Sequence, residues 1–451
     1  MTIKLRLLLC AMAVLATMSM VDCNEYSCGG FGSLPCTAGS GGSGSGSFGG
    51  GGGGGSTAAT AFAFAVDQGG TVDGYTLSSS TFAATANFAA PATTITNNPG
   101  AGMVVVQQSG QQPFVYAVFG PPNSTSELFG WSMSTSGALT LLQNLPAPLS
   151  FIPDVSIPFN QYNIATNPAG TLLFIADSFE DQIFVFQIAT TGALTAVTGS
   201  PFPTPSGVNP GNLTTDGLGN YLYVTETLLD HTGAGVLGYS IGNGTNGTTL
   251  GVLTELSSSP FAFNMWQLQG DASGSYLVGT SGNSAAPGFG LSNADDDHLY
   301  VFSIQQTGTI TSTPPSGTLT EVGTGFATTN SPLNIAMQPP SSGGEFVYSF
   351  SLNDSGAAYN PVEGYQLITS GAQAGTLTPI SGFPTSGIAA GHWGQFDQSG
   401  ANLLVYSSIS NGTTIQTQLG ALSIDSSGIP TEPTAPATLV TPGYWVVTDP
   451  Q

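Results

Sequence analysis

A short apolar segment, with an aromatic residue near its centre in six of its copies, recurs seven times along this 451-residue chain. The copies occupy residues 72–77, 128–133, 183–188, 236–241, 299–304, 362–367 and 419–424. Their central positions are 53 to 63 residues apart. This spacing is too long for leucine-rich or ankyrin repeats and suits a four-stranded propeller blade with insertions. The repeat therefore predicts an all-β chain folded as a seven-bladed β-propeller.

Each period also contains signals for two hairpins, which together make one four-stranded blade. A glycine-containing turn and a further strand follow several copies, at residues 136–140, 191–195, 307–311 and 374–378. A second hairpin precedes the copies, at residues 163–177, 213–224, 268–278 and 396–406. Glycine suits these turns because it adopts the left-handed conformation that tight hairpins require.

The repeat region lacks one strand at its N-terminal end and has one extra strand at its C-terminal end. The first copy lacks a leading strand, since residues 62–66 directly follow a Gly/Ser-rich stretch, whereas residues 444–448 form a strand without a hairpin partner. We expect the C-terminal strand to complete and close the first blade. Such closure removes two exposed sheet edges, which are a liability for aggregation.

The aromatic residue of each copy has a fixed place in its blade. This position predicts packing between blades rather than a sugar-binding surface. The six residues are Tyr75, Trp131, Phe186, Tyr239, Phe302 and Tyr365.

Residues 1–22 have the pattern of an export signal, because Lys4 and Arg6 precede an apolar run at residues 7–16 that is short for a membrane span. Residues 23–36 form a cysteine-containing segment, residues 37–57 a flexible Gly/Ser linker, and residues 58–451 the propeller. Cys23 lies where a bacterial lipoprotein is cleaved and acylated. If Cys23 carries lipid, Cys28 and Cys36 can form a disulfide in an oxidising compartment. Simple secretion, with Cys23 free or cross-linked, is the alternative.

Charge excludes several functions. Lys4 and Arg6 are the only basic residues besides three histidines, against 25 acidic residues, and the formal net charge is −23. Nucleic-acid binding needs clustered Lys or Arg and is excluded, and attraction to an anionic membrane surface is disfavoured. Because no carboxylate after Arg6 has a Lys or Arg partner, we expect folding stability to hold or rise as the pH falls below 7.

The order of short motifs in the repeat resembles that of a known family. The motifs are Leu-Tyr-Val, Tyr-Ser-Ile, Thr-Gly-x-Leu-Thr and Ser-Pro-Phe, the last at residues 200–202 and 259–261. Together they resemble the lactonase-type seven-bladed propellers, which include propeller-fold 6-phosphogluconolactonases and YVTN-type surface repeat proteins. The resemblance covers about residues 58–451 and implies the fold more strongly than an activity, because one propeller scaffold supports many functions.

The resemblance also implies where catalytic residues would lie. Enzymes of the family use Arg, His and Glu around the central channel. In the matching segment, residues 391–400, His392 takes the place of the arginine and Trp393 that of the histidine. Without arginine, bidentate capture of a phosphate is not available. His392 remains the candidate general base, with a structural histidine as the alternative.

One acidic run is a candidate metal site. Asp295, Asp296 and Asp297 offer hard oxygen ligands suited to Ca²⁺, although their spacing fits no EF-hand and a solvated acidic loop is the alternative. Asp177, Glu180 and Asp181 form a similar cluster with the same two interpretations. No other cofactor is expected.

These observations favour an exported or surface-tethered propeller that acts in recognition or as a scaffold. We expect a monomer whose partner is an extracellular protein or carbohydrate, and which meets a membrane only through lipid on Cys23. The alternatives are a lactonase that hydrolyses a neutral sugar lactone and a structural protein of the cell envelope. The residues around the channel distinguish them: converging His and carboxylate groups would favour the enzyme, and a neutral polar lining the binding protein.

Overall fold

In the computed structural model all secondary structure of the described residues is β. The described residues are 61–67, 71–77, 82–89, 100–119, 127–142, 164–178, 180–205, 208–226, 235–244, 249–263, 265–280, 297–306, 316–329, 332, 334–338, 345–350, 362–381, 391–396, 400–410, 415–431, 437–438 and 443–448. Within these ranges, no helix has the length and apolar character needed to cross a membrane.

The described strands form seven antiparallel sheets. The first sheet contains β1 (Ala61–Asp67), β2 (Thr71–Leu77), β3 (Phe82–Ala89) and the last strand of the chain, β31 (Gly443–Thr448). The second contains β4 (Gly100–Val106), β5 (Phe114–Phe119), β6 (Glu127–Met133) and β7 (Leu139–Leu141). The third contains β8 (Ile164–Thr166), β9 (Leu172–Asp177), β10 (Gln182–Ile188), β11 (Leu194–Ala196) and β12 (Phe202–Pro203).

The other four sheets repeat the same order. The fourth contains β13 (Pro210–Thr215), β14 (Tyr221–Glu226), β15 (Leu237–Ile241) and β16 (Leu253–Glu255). The fifth contains β17 (Gln267–Gly270), β18 (Tyr276–Thr280), β19 (His298–Ile304), β20 (Leu319–Glu321) and β21 (Phe326–Ala327). The sixth contains β22 (Asn334–Met337), β23 (Glu345–Phe350), β24 (Glu363–Leu367) and β25 (Leu377–Pro379). The seventh contains β26 (Gly391–Phe396), β27 (Asn402–Ser410), β28 (Ile415–Ile424), β29 (Pro430–Thr431) and β30 (Ala437–Thr438).

One strand of each sheet is an inner strand, by which we mean the strand that contacts its counterparts in the neighbouring sheets. The inner strands are β31, β4, β8, β13, β17, β22 and β26, each at one end of the strand order of its sheet. Each contacts the next in this order, and β26 contacts β31. The sheets are therefore arranged side by side around a common axis, which is the architecture of an all-β propeller.

The first sheet joins the two ends of the repeat region. β31 pairs with β1 in antiparallel register, so that Phe64 lies opposite Val447 and Val66 opposite Trp445. β31 occupies the position in this sheet that β4 occupies in the second.

Two similar segments precede the end of the fifth sheet in the sequence. The sequence predicts a turn and strand at residues 307–311, which lie outside the described residues, whereas the fourth strand of this sheet is β20, where Leu319 pairs with Ile304. Residues 317–320 have the Gly-x-Leu-Thr pattern and residues 308–311 the similar Gly-x-Ile-Thr pattern, and the structure pairs the former with β19.

Apolar side chains fill the spaces between consecutive sheets. Trp131 of the second sheet packs in one cluster with Phe62 and Phe64 of the first, and Tyr365 of the sixth sheet packs with Val278 of the fifth. All six repeat aromatics are nearly inaccessible, with exposed fractions of 0 to 4%. Five of them, all except Tyr75, lie in clusters that combine residues of two consecutive sheets, so for these five the predicted packing between blades is confirmed.

Tyrosine hydroxyls connect the second, fourth and sixth sheets to the sheets that follow them. Tyr116, Tyr223 and Tyr348 each donate a hydrogen bond to the carbonyl oxygen of a turn glycine in the next sheet. The acceptors are Gly192 at 2.7 Å, Gly317 at 2.9 Å and Gly428 at 2.7 Å. Burial raises the pKa of all three phenols. The raised pKa favours the protonated hydroxyl, which is the form that donates these hydrogen bonds.

Candidate functional site

The inner strands are the natural place for a site, because in a propeller they line the central axis. Within their described bounds these seven strands contain no Asp, Glu, Lys or Arg. His392 of β26 is their only histidine. Apart from His392, the residues of these strands have amide, hydroxyl or apolar side chains, and the strands place no Asp, Glu, Lys or Arg along the axis.

Side-chain amides of the inner strands bind the main chain of the next sheet. Gln267 of β17 is fully buried, and its Nε2 donates to the carbonyl of Ile335 at 3.2 Å while the amide of Ile335 donates to Oε1 at 2.7 Å. Two residues along, Oε1 of Gln269 accepts a hydrogen bond from the amide of Met337 at 2.9 Å. These glutamines thus satisfy main-chain groups of β22 that have no strand partner.

Asn212 and Thr214 make the corresponding contacts between the fourth and fifth sheets. The amide of Leu268 donates to Oδ1 of Asn212 at 3.1 Å, and the amide of Gly270 donates to Oγ1 of Thr214 at 3.2 Å. A register shift between Pro210 and Leu213 leaves the amide of Asn212 to bond Oγ1 of Thr225. The polar residues at this part of the axis are therefore largely used to hold neighbouring sheets in register.

One polar atom in this group has no acceptor among the described residues. The Nδ2 atom of Asn212 is buried, and the side chain as a whole is 5% exposed. A buried donor of this kind is usually satisfied by an ordered water. It offers hydrogen bonding, not acid or base chemistry.

His392 lies at an irregularity of β26. Gly391 pairs with Ser407 and Trp393 with Tyr406, so the register shifts at His392 and leaves its backbone outside the ladder. Bulges of this kind re-aim a side chain and are frequent beside functional sites. The side chain of His392 is outside the described part of the structure, whereas the neighbouring Trp393 is buried.

The other two histidines are not brought to the axis by described contacts. His298 begins β19, is half-buried, and its ring lies beside that of Tyr300 with the centroids 6.3 Å apart. His231 is outside the described residues.

The predicted Ca²⁺ ligands are only partly described. Asp295 and Asp296 lie outside the described residues, and Asp297 accepts a hydrogen bond from the amide of Thr328 through its carbonyl oxygen at 2.8 Å. Among the side chains that the structure describes, no group of three or more His, Cys, Asp or Glu is arranged to hold a metal. Cys23, Cys28 and Cys36 also lie outside the described residues.

The second acidic cluster stabilises its own loop. Asp177 is fully buried, and its carboxylate accepts hydrogen bonds from the amide of Glu180 at 3.2 Å and from Nε2 of Gln182 at 2.9 Å. Asp181 adopts φ 53°, a left-handed conformation that Asp tolerates better than most residues. The geometry supports the structural interpretation of this cluster.

A further set of polar residues lies in the turn of the first hairpin in three of the sheets. Asn167, Asp216 and Asp271 follow the inner strands β8, β13 and β17 and accept hydrogen bonds from main-chain amides four or five residues later. Asp216 and Asp271 are both fully buried. Such turn caps account for acidic residues at this end of the sheets without a catalytic role.

Comparison with known proteins supports the fold. No family model matches the sequence. No curated protein matches it either. Solved structures do: a proposed 6-phosphogluconolactonase from Bacteroides uniformis ATCC 8492 is 16% identical with a TM-score of 0.56, covering 86% of this chain and 99% of that protein. A second proposed 6-phosphogluconolactonase, from Bacteroides fragilis NCTC 9343, is 15% identical with a TM-score of 0.53, covering 87% and 99%.

A protein from Lactobacillus plantarum is similar to the same extent, at 17% identity and a TM-score of 0.53, covering 86% of this chain and 98% of that one. The chain is thus structurally similar to the lactonase-type propellers at low sequence identity, as the sequence motifs predict. Identity at this level shows the fold alone.

Proposed function

We propose that this chain is an exported, non-enzymatic recognition or scaffold protein built on a seven-bladed ring that β31 closes. The observation that carries the proposal is the absence of charged residues from the inner strands within their described bounds. Hydrolysis of a phosphorylated lactone requires a cation for the phosphate and an acid or base for the ring opening. The inner strands provide no Lys, Arg or carboxylate, and His392 is the only residue within their described bounds that could act as an acid or base.

Burial of the amides supports the same proposal. Gln267 is occupied by both main-chain groups of Ile335, and Oδ1 of Asn212 by the amide of Leu268. Side-chain amides that already bond to a neighbouring sheet are not available to bind or activate a substrate. A chain of formal net charge −23 whose inner strands carry no charged residue fits a partner that is uncharged or basic, such as a carbohydrate or a basic region of another protein.

A neutral-lactone hydrolase is the second candidate, and the position of His392 at the bulge of β26 favours it. The two functions are separated by incubating residues 23–451 with 6-phosphogluconolactone and with uncharged gluconolactone, beside buffer and a His392→Asn variant. We expect neither lactone to open faster than in buffer. Saturable turnover of the uncharged lactone that His392→Asn abolishes would establish the second function, and turnover of the phosphorylated lactone would refute the reasoning from charge.

Attachment is proposed through lipid on Cys23. Expression of the full chain and of Cys23→Ser in a bacterial host, followed by detergent phase partitioning, tests it. The wild type should enter the detergent phase and the variant the aqueous phase. Equal partitioning of the two into the aqueous phase would contradict lipid attachment at Cys23.

A further inference from the structure

A buried carboxyl group lies between the fifth and sixth sheets with no basic partner. Glu345 begins β23 and is 4% exposed. It faces the turn between β17 and β18, where the amide of Ala272 donates to its Oε1, and this turn also contains the fully buried Asp271. No Lys or Arg follows Arg6 in the chain. Two buried carboxyl groups therefore lie at one sheet interface with neither Lys nor Arg to pair with them.

The two carboxyl groups differ in the number of hydrogen bonds that they accept from the protein. Asp271 accepts hydrogen bonds from the amide of Tyr276 at 2.6 Å, the amide of Ser273 at 3.2 Å and the hydroxyl of Ser273. Among the described residues, Glu345 accepts one hydrogen bond, from the amide of Ala272 at the long distance of 3.4 Å. Several donors stabilise a carboxylate, whereas a poorly solvated, buried carboxyl group favours its neutral form.

The other titratable groups around this interface do not supply a positive charge. On the fifth sheet, Tyr276 begins β18 and His298 lies at the far end of β19. On the sixth sheet, Tyr348 lies three residues along β23 and donates to Gly428. The turn of the fourth sheet that carries Asp216 packs on Asp271, since a Cβ at Gly217 would clash with the Asp271 carbonyl oxygen. A negative charge on Glu345 would therefore face acidic or neutral groups.

We propose that Glu345, Asp271 and Ala272 form a pH-dependent latch between the fifth and sixth sheets, closed while Glu345 retains its proton and loosened when solvent base removes it. In the closed form the neutral carboxyl group accepts from Ala272 and adds no charge beside Asp271. Loss of the proton places a second negative charge in the interface. The repulsion is relieved by separating β23 from the turn of the fifth sheet, which admits water.

The electrostatics agree with this geometry. Burial, with a smaller contribution from Asp271, raises the pKa of Glu345 to about 8. The native state therefore holds a proton that the unfolded chain releases at ordinary glutamate pH. The stability that this proton contributes is fully present below the unfolded pKa and is lost as the pH rises through the folded one.

The test compares unfolding by urea at pH 6, 7, 8 and 9 for the wild type and three variants. Glu345→Gln reproduces the neutral side chain and keeps an acceptor for Ala272. Asp271→Asn removes the neighbouring charge but keeps a turn cap, as Asn167 does in the third sheet. Asp425→Asn changes an exposed turn carboxylate in the seventh sheet and is the control.

Between pH 6 and pH 8 the unfolding equilibrium constant should increase in both proteins or in the wild type alone. The factor of increase should be roughly 50 times larger for the wild type than for Glu345→Gln. Asp271→Asn should show a smaller rise than the wild type, and Asp425→Asn the same rise. The rate of amide hydrogen exchange, corrected for the intrinsic pH dependence, should increase with pH. The increase should be larger at residues 271–280 and 345–350 than at residues 114–119. Parallel pH profiles of wild type and Glu345→Gln would overturn the latch. If Glu345→Gln does not fold, equal profiles of wild type and Asp271→Asn, with uniform hydrogen exchange, would overturn it.

Discussion

Replacing Gln267 by Leu should weaken the joint between the fifth and sixth sheets by an amount that the structure predicts. The side chain is fully buried and satisfies both the amide and the carbonyl of Ile335, which is itself fully buried. Leaving each buried main-chain group unsatisfied costs about 1–3 kcal/mol, and the apolar gain of Leu offsets part of the sum. We expect a loss of about 2–4 kcal/mol in the free energy of unfolding.

Gln269→Leu is a matched control, because it removes the same type of contact to the same strand. Gln269 accepts from the amide of Met337, and both residues are half-buried. Water can replace the lost bond there, so the cost should stay below about 1 kcal/mol. Equilibrium urea unfolding, followed by tryptophan fluorescence and checked for reversibility, measures both. Equal losses for the two variants, or no loss for Gln267→Leu, would refute the argument that burial makes these amides structural.

Two further predictions concern closure and turns. Removing residues 444–451 deletes most of β31 and exposes the edge of β1, so the shortened chain should unfold at a markedly lower temperature; unchanged melting would contradict closure by this strand. Gly375→Ala should lower the free energy of unfolding by about 1–3 kcal/mol, because φ is 86° and the new Cβ would lie 2.9 Å from the Tyr276 ring. Gly371→Ala is the control: φ is 82° but no atom lies near the new Cβ, so the cost should be only about 1 kcal/mol. Urea unfolding of the pair checks this, and a larger loss at Gly371 would show that the ring contact is unimportant.

Much of the fold could be predicted because each copy of the repeat is recognisable within a short segment of the sequence. Each of the seven copies forms the third strand of a sheet, as with β6 around Trp131, and the hairpins at residues 163–177 and 213–224 became β8–β9 and β13–β14. These elements depend on residues close together in the chain. The fourth strand of the fifth sheet, β20, depends also on its pairing with β19, which local sequence does not specify.

The contacts between sheets could not be predicted in the same way. Gln267 and Ile335 are 68 residues apart, and nothing in either segment indicates that one amide will bind both main-chain groups of the other. The burial of Glu345 against Ala272, 73 residues away, likewise depends on how two sheets meet. Composition did predict that a buried carboxyl group would find no basic partner, since Lys and Arg end at Arg6.

The pairing of β31 with β1 also sets an order of events during synthesis. β1, β2 and β3 leave the ribosome before every other described strand, yet their sheet waits for the last strand of the chain. At about 5–20 residues per second, that wait lasts roughly 20–75 s. Throughout this time one edge of β1 is available to wrong partners, including the same edge on a neighbouring nascent chain. The edge of β1 is therefore covered only after the C-terminal strand has been made.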